Sequence, residues 1–430
     1  MKKISLILVF LLFGCTDVVK KIEQLPILQK AETPEEIPQT HHQFESRDLK
    51  TEKKNERKTQ VALFLPFSGK NKDLGWHLFN TAVLSLFEND KNHNIELVLI
   101  DSKDSLQEAT KNFKEVVDRK IKIVIGPIFS LSVEAIESDA KKNGITVISL
   151  SNNPKLSGKI NNDGGIFLGG MMPEAQVDKI VGYALQQGKY SFSIIAPNNQ
   201  YGISFANLFK KVVKNRDGIF ITSEFYEGSD KDLDRAVDHA INAFTVPNRL
   251  TQSRGNKLKK DAVINDSDRT YAQVIVIPES GKTLSKIAAL IKVQNKDERD
   301  FQLVGSSQWD DISTLNDPNL LGGLFAAPEN ERFRNFEKTY YGSYDKFPPR
   351  ISSIVYDSVT AISQIIDSKK SLPSVTDFTN YSGKINGFEG IDGQFRFLPN
   401  GLIQRNLAVL KVSGGRFETV DKPADKFLKY

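Results

Sequence analysis

From Val61 onward the chain alternates short apolar runs with amphipathic stretches. Val61–Phe67, Ile95–Ile100, Ile121–Ile125 and Ile145–Leu150 are rich in β-branched and aliphatic residues and have the length of buried strands. Between the first two, Phe79, Ala82, Val83, Leu86 and Phe87 recur at helical spacing; Phe113, Val116 and Val117 do so more weakly before the third. Strands alternating with helices predict right-handed crossovers and a parallel sheet covered on both faces. The pattern then restarts. Phe192–Ala196, Ile219–Thr222 and Gln273–Ile277 read as strands, and Phe205, Leu208, Phe209, Val212 and Val213 mark a helix between the first two. The fold class expected is therefore α/β, with two doubly wound parallel-sheet lobes and a central cleft at the C-terminal ends of the strands. Residues 60–170 and 301–384 are assigned to the first lobe, with the chain returning through Leu303-Val304-Gly305 and Ser352–Ile366 forming a helix. Residues 171–300 and 385–430 are assigned to the second. From about Phe244 to Thr270 the alternation lapses, which predicts an exposed inserted loop.

The N-terminal segment follows a different pattern. Met1-Lys2-Lys3 is basic, Ile4–Phe13 is almost wholly apolar, and Cys15 stands where the run ends. The run is shorter than the roughly 20 residues a spanning helix needs, so it reads as a secretory signal. It resembles a bacterial lipoprotein signal, which implies removal of residues 1–14 and lipidation of Cys15. Residues 15–59 are polar and charged, and are expected to form a disordered tether averaging roughly 35 Å end to end. His41-His42 within it reads as a solvated pair, because a closed metal site needs about four ligands.

Composition narrows the function. The 430 residues are 39% hydrophobic, enough for large cores, and with Cys15 as the single cysteine there is no intramolecular disulfide. A net charge of +5 without a basic, aromatic-laced face gives nucleic-acid binding no support. His77, His93 and His239 are scattered, and no nucleophile or metal-protease motif is present, so the chain is expected to be non-enzymatic, without cofactor or metal. Gly281-Lys282-Thr283 suggests a phosphate loop, but Val276 stands where that loop needs its first glycine.

Ser68-Gly69 to Gly75, Phe79-Asn80, Ile125-Gly126-Pro127 with Ser130 and Ser132, and Asn199-Gln200-Tyr201-Gly202 occur in an ordered series. Pro278-Glu279-Ser280-Gly281, Gly305 with Trp309, Tyr356-Asp357-Ser358 and Gly387-Phe388-x-Gly390-x-x-Gly393-x-Phe395 complete it. The series resembles the type I periplasmic binding proteins of the leucine/isoleucine/valine class across residues 60 to 415. A ligand carboxylate suits the helix start after Gly126-Pro127, with Ser130 or Ser132 adding a hydroxyl and the loop of Ser151 and Asn153 adding donors. The resemblance implies that Tyr201 and Glu279 hold a ligand ammonium, and that Trp76 replaces the family's tryptophan, whose own position is Leu74. Ser130, Ser132 and Asn153 equally suit caps and turns, and Tyr201 a helix start.

Two functions fit. The Leu65-Pro66-Phe67-Ser68-Gly69 opening, the tether and Thr16 after Cys15 resemble penicillin-binding-protein activators. That resemblance implies an outer-membrane lipoprotein facing the periplasm, whose partner is a peptidoglycan synthase and whose ligand is a cell-wall fragment. The alternative is a substrate-binding receptor of an ABC importer, with a permease as partner and a branched-chain or other small amino acid as ligand.

Overall fold

The computed structural model describes residues 58–427, except 104, 162, 246–268 and 381–386. The signal, Cys15 and all but the last residues of the expected tether lie outside the described residues. The first described strand is β1 (Thr59–Leu65).

The first lobe runs β1, α1 (Lys72–Asn89), β2 (Ile95–Asp101), α2 (Leu106–Asp118), β3 (Ile123–Ile125), α3 (Ser130–Lys142), β4 (Thr146–Ser149) and β5 (Gly165–Leu168). Its sheet is wholly parallel in the order β2-β1-β3-β4-β5. Successive side chains of a strand point to opposite faces. Val61, Leu63 and Leu65 accordingly join one core with Leu78 and Ala82 of α1, while Ala62 and Phe64 join another with Phe113, Val116 and Ile136. A strand buried on both faces must be apolar throughout, which is why β1 reads as a continuous run.

The second lobe continues with α4 (Pro173–Gln186), β6 (Ser191–Pro197), α5 (Gln200–Asn215), β7 (Ile219–Tyr226), α6 (Asp230–Asn242), β8 (Phe244–Thr245), β9 (Thr270–Tyr271), β10 (Val274–Ile277), α7 (Gly281–Gln294) and β11 (Gln302–Gly305). Side-chain caps start two of its helices, α5 and α6. Asn199 accepts from the Gly202 amide and Ser229 from the Asp232 amide. Of the expected inserted loop, residues 246–268 lie outside the described residues. Its two flanks pair as the antiparallel ribbon β8–β9, with Arg269 over the Phe244 ring.

Two lobe assignments are corrected. Leu303-Val304-Gly305 does not return the chain to the first lobe. β11 pairs with β10 and with β12 (Leu324–Ala327), in a sheet ordered β17-β16-β12-β11-β10-β6-β7. An apolar run shows that a strand is buried but not which sheet accepts its hydrogen bonds. The short α8 (Ile312–Leu315) separates β11 from β12; then α9 (Asn330–Tyr344), α10 (Ser352–Lys369) and α11 (Val375–Asn380) pack on the first lobe.

Residues after 385 also divide differently. β13 (Phe388–Gly390), β14 (Gly393–Phe397) and β15 (Ile403–Arg405) form a small antiparallel sheet on the first lobe. Its Phe388, Phe395 and Phe397 pack with Phe167 and Phe378, and burying that aromatic cluster keeps the segment there. Among the described residues after 385, only β16 (Ala408–Val412) and β17 (Phe417–Asp421) join the second sheet, antiparallel at its edge.

Candidate ligand-binding cleft

The strand ends of the first lobe form one wall. Gly126 has φ +105°, and a Cβ there would meet the Phe64 carbonyl oxygen at 2.2 Å, so the loop after β3 can turn only at glycine. The following loop is locked to it: Ser149 Oγ donates to the Pro127 carbonyl (2.9 Å) and accepts from the Ser151 amide (3.0 Å). This places Ser151 Oγ 2.9 Å from Ser130 Oγ, at the first turn of α3, where a helix leaves amides without intrahelical acceptors. Hydroxyls and a helix N-terminus together favour an anion.

The second wall is the hinge. Gly169 and Gly170 follow β5, and a Cβ on Gly170 would meet the Ser151 carbonyl oxygen at 2.6 Å. Opposite lies Asp310, whose position traces to Gly305. The Trp309 indole fills the space a Cβ on Gly305 would occupy, at 2.1 Å, and donates from Nε1 to the Ile277 carbonyl (3.1 Å). The buried indole fixes the loop that carries Asp310. Arg350, just before α10, donates from Nε to Asp310 (2.7 Å) and from Nη1 to Ser353 (2.9 Å), lies 2.8 Å from Asp392 through Nη2, and stacks on Phe333. Arg405 donates from Nη1 to Asp357 (2.5 Å), whose other oxygen accepts from the Ile391 amide (2.8 Å). Gly390 permits this, since a Cβ there would meet Asp357 at 2.0 Å.

These charges shift one another. Burial pushes the Asp357 carboxyl up to about 6; Arg405 opposes the shift and the Asp392 charge adds to it. Burial also works against the ionised Asp392, but the guanidiniums of Arg350 and Arg405 overcome it and hold that carboxyl below the usual range.

Between the walls lies a cavity of about 410 Å³, within the range of small-molecule sites. Ser130, Ser151, Asn152, Ser307, Asp310, Arg350, Ser353, Asp392 and Arg405 supply its polar lining, and Phe129, Met171, Pro328 and Ile354 are among its apolar groups.

Of the candidate residues, Ser130 and Ser151 are on this lining. Ser132 is 3% exposed and packed into the helix face. Asn153 caps the turn after it, accepting from the Lys155 amide (3.2 Å). Trp76 is 45% exposed and leans on Phe67 and Phe79 away from the cavity. Tyr201 and Glu279 are near one another on the second lobe but off the lining. Burial raises the Tyr201 hydroxyl pKa, against a hydrogen bond with Ser306, and the Glu279 charge adds to the rise. Glu279 accepts from the Tyr226 hydroxyl and from the Ser280 amide (3.1 Å). Asp310, Arg350, Asp392 and Arg405 are not apparent from sequence, where single charges in turns and strand ends resemble solvated ones. The signal that pointed nearest was the Tyr356-Asp357 and Gly387-to-Gly393 motifs. Among the described residues no group of three or more metal-ligating side chains occurs, and no helix is long and apolar enough to cross a membrane.

Two lobes, one on a parallel sheet and one on a largely parallel sheet, joined by three chain crossings among the described residues around such a cavity, define a bilobal ligand-binding protein of the type I periplasmic fold. The chain belongs to the periplasmic binding protein family, whose profile matches residues 58–416. Family membership implies a periplasmic or extracellular location. An uncharacterized protein of Rickettsia prowazekii (strain Madrid E) is 23% identical over 381 residues, covering 87% of this chain and 91% of its own. A branched-chain amino acid transporter substrate-binding protein of Streptococcus pneumoniae, solved with isoleucine, shares the fold at 18% identity and a TM-score of 0.57, covering 86% of this chain and 99% of its own. A solute-binding protein of R. palustris solved with benzoate does so at 15% identity and 0.58, covering 86% and 98%.

Proposed function

We propose that the protein is the ligand-binding receptor of an envelope ABC importer, held to the membrane through lipid on Cys15, and that it binds a small organic acid without turnover. The observation that carries this is the pairing of Ser130 and Ser151 at the start of α3, on a cavity between the lobes. Isoleucine and benzoate, bound by two proteins of the same fold, share a carboxylate, and this corner suits one. The ligand carboxylate accepts from the hydroxyls and the first-turn amides, and closure of the hinge removes it from water. Titration calorimetry of the intact protein in detergent, with leucine, isoleucine and benzoate, tests the reading. Binding lost in a Ser130→Ala/Ser151→Ala double variant supports it; no heat from any of the three overturns it.

A second reading is a regulator of peptidoglycan synthesis, anchored in the outer membrane and partnered by a synthase. One observation favours it: Asp310 accepts from Arg350 across the two lobes (2.7 Å), a tie that suits a fixed scaffold. Membrane fractionation separates the two, since recovery with the inner membrane counts against the regulator and recovery with the outer membrane against the receptor.

A further inference from the structure

A helix on the surface of a folded protein keeps a polar outer face, whereas one that is apolar all round is covered on every side. Both α1 and α10 are apolar in this sense, but only one is covered. α10 is buried along nearly its whole length. α1 has no Asp, Glu, Lys or Arg from Leu74 to Phe87, and its Gly75, Leu78, Ala82 and Ser85 face the body. Trp76, Asn80, Val83 and Phe87 recur at helical spacing on the opposite face. Trp76 is 45% and Phe87 86% exposed, and Val83 is half-buried. Asn80, the polar member of this stripe, turns its amide to the Tyr340 hydroxyl (3.4 Å). The neighbouring sheet edge is apolar too. β2 is an outer strand; its Leu97 joins the same core as Phe79 and Leu86, and Leu99, on the same face of the strand, is 38% exposed.

The size of this face favours an occupant from the same chain. A helix of 18 residues is about 27 Å long and about 10 Å wide, so its outer face offers about 270 Å². A stable complex between separate chains takes roughly 800 Å² from each partner. A segment joined to the body needs far less, because the link supplies an effective concentration. The chain enters the body beside this helix: the Thr59 amide donates to the Asn94 carbonyl (2.7 Å), just past the C-terminal end of α1. Upstream, residues 16–57 contain one dense apolar cluster, formed by Val18, Val19, Ile22, Leu25, Ile27 and Leu28. The link from Leu28 to Thr59 is about 30 residues and reaches up to roughly 100 Å, several times the length of α1.

We propose that residues 18–28 dock on the outer face of α1, with their aliphatic side chains covering Trp76, Val83 and Phe87. Val18 follows Cys15 closely, so docking brings the lipid-bearing end of the chain against the first lobe. The body then stands on the membrane by its α1 side rather than at the far end of the tether. The docking itself needs neither the lipid nor the receptor reading.

The test is iodide quenching of tryptophan fluorescence. The chain has two tryptophans, and Trp309 is 0% exposed, so iodide reads Trp76. Residues 56–430 form a compact unit of their own, so the chain from residue 15 with Cys15→Ser keeps the whole body and is studied without detergent. A segment docked at least half of the time halves the open population, so adding Ile22→Ser/Leu25→Ser should raise the quenching constant at least about twofold. Both substitutions lie outside the compact unit, so its folding is not at stake. Equal quenching in the two chains overturns the proposal. So does shielding that fades on dilution, which assigns the face to a second copy, and so does shielding that appears only with phosphatidylglycerol vesicles, which assigns it to lipid.

Discussion

The two lobes share one plan and carry different chemistry. In each, a proline at the end of the leading strand or just after it has its carbonyl under a first-turn glycine of the next helix. A Cβ on Gly75 would meet the Pro66 oxygen at 2.0 Å, and one on Gly202 the Pro197 oxygen at the same distance. Yet the first lobe turns Ser130 and Ser151 to the cavity, while the second keeps Glu279 against its own Tyr226. Repetition of a βα unit fixes where a side chain starts, not whether its neighbours leave it free. The same acid at the same place in the fold serves ligand binding only if nothing local satisfies it first.

The hinge cluster supplies the largest expected effects on that contrast. Asp357→Ala leaves Arg405 buried without its partner and should destabilise the protein by about 3–5 kcal/mol, read from urea unfolding. The sign of its pH dependence also follows. A carboxyl raised to about 6 by burial binds its proton more tightly in the folded chain, so its contribution to stability falls as pH rises from about 4 to about 6. Asp357→Asn should flatten that part of the stability profile, and an unchanged profile would show that another group governs it.

Asp310→Ala removes the tie between lobes but leaves Arg350 with Asp392 and Ser353. The expected loss is about 1–3 kcal/mol, with a larger radius of gyration by small-angle scattering in the unliganded protein. A scattering profile identical to wild type would mean that the tie does not hold the lobes.

Glu279→Ala separates the second lobe's role most sharply. Tyr226 loses its acceptor, so stability should fall by about 1–2 kcal/mol, whereas ligand affinity should stay within about 0.5 kcal/mol. A loss of about 2–5 kcal/mol in affinity would instead make Glu279 the ammonium anchor and reverse the comparison. The smallest effect belongs to Ser130→Ala, which should weaken a carboxylate ligand by about 1 kcal/mol, roughly fivefold, without measurable change in stability.

Much of the fold was legible. The runs at Val61, Ile95, Ile121 and Ile145 became the strands β1 to β4, and those at Phe192, Ile219 and Gln273 the strands β6, β7 and β10. Doubly buried parallel strands must be apolar along their length, and that requirement is local. Leu324–Ala327 was not marked as a strand, because four small and apolar residues between turns carry little periodicity. Of the candidate cleft residues, Ser130 and Ser151 reached the cavity because Gly126 and Ser149 bring their two loops together. Ser132 and Asn153 followed the commoner habit of such residues, helix packing and capping.

The sequence by itself determined the element types, the two-lobed α/β class and the glycines that permit close approach at Gly126, Gly305 and Gly390. Each of these depends on periodicity or on the absence of one side chain. Tertiary structure alone decided which sheet took the strand at Leu303, that residues 388–405 stay with the first lobe, and that Asp310, Arg350, Asp392 and Arg405 meet at one hinge. Hydrogen-bond pairing between strands and charge pairing across a cavity join residues tens to hundreds of positions apart, and neither leaves a local pattern in the chain.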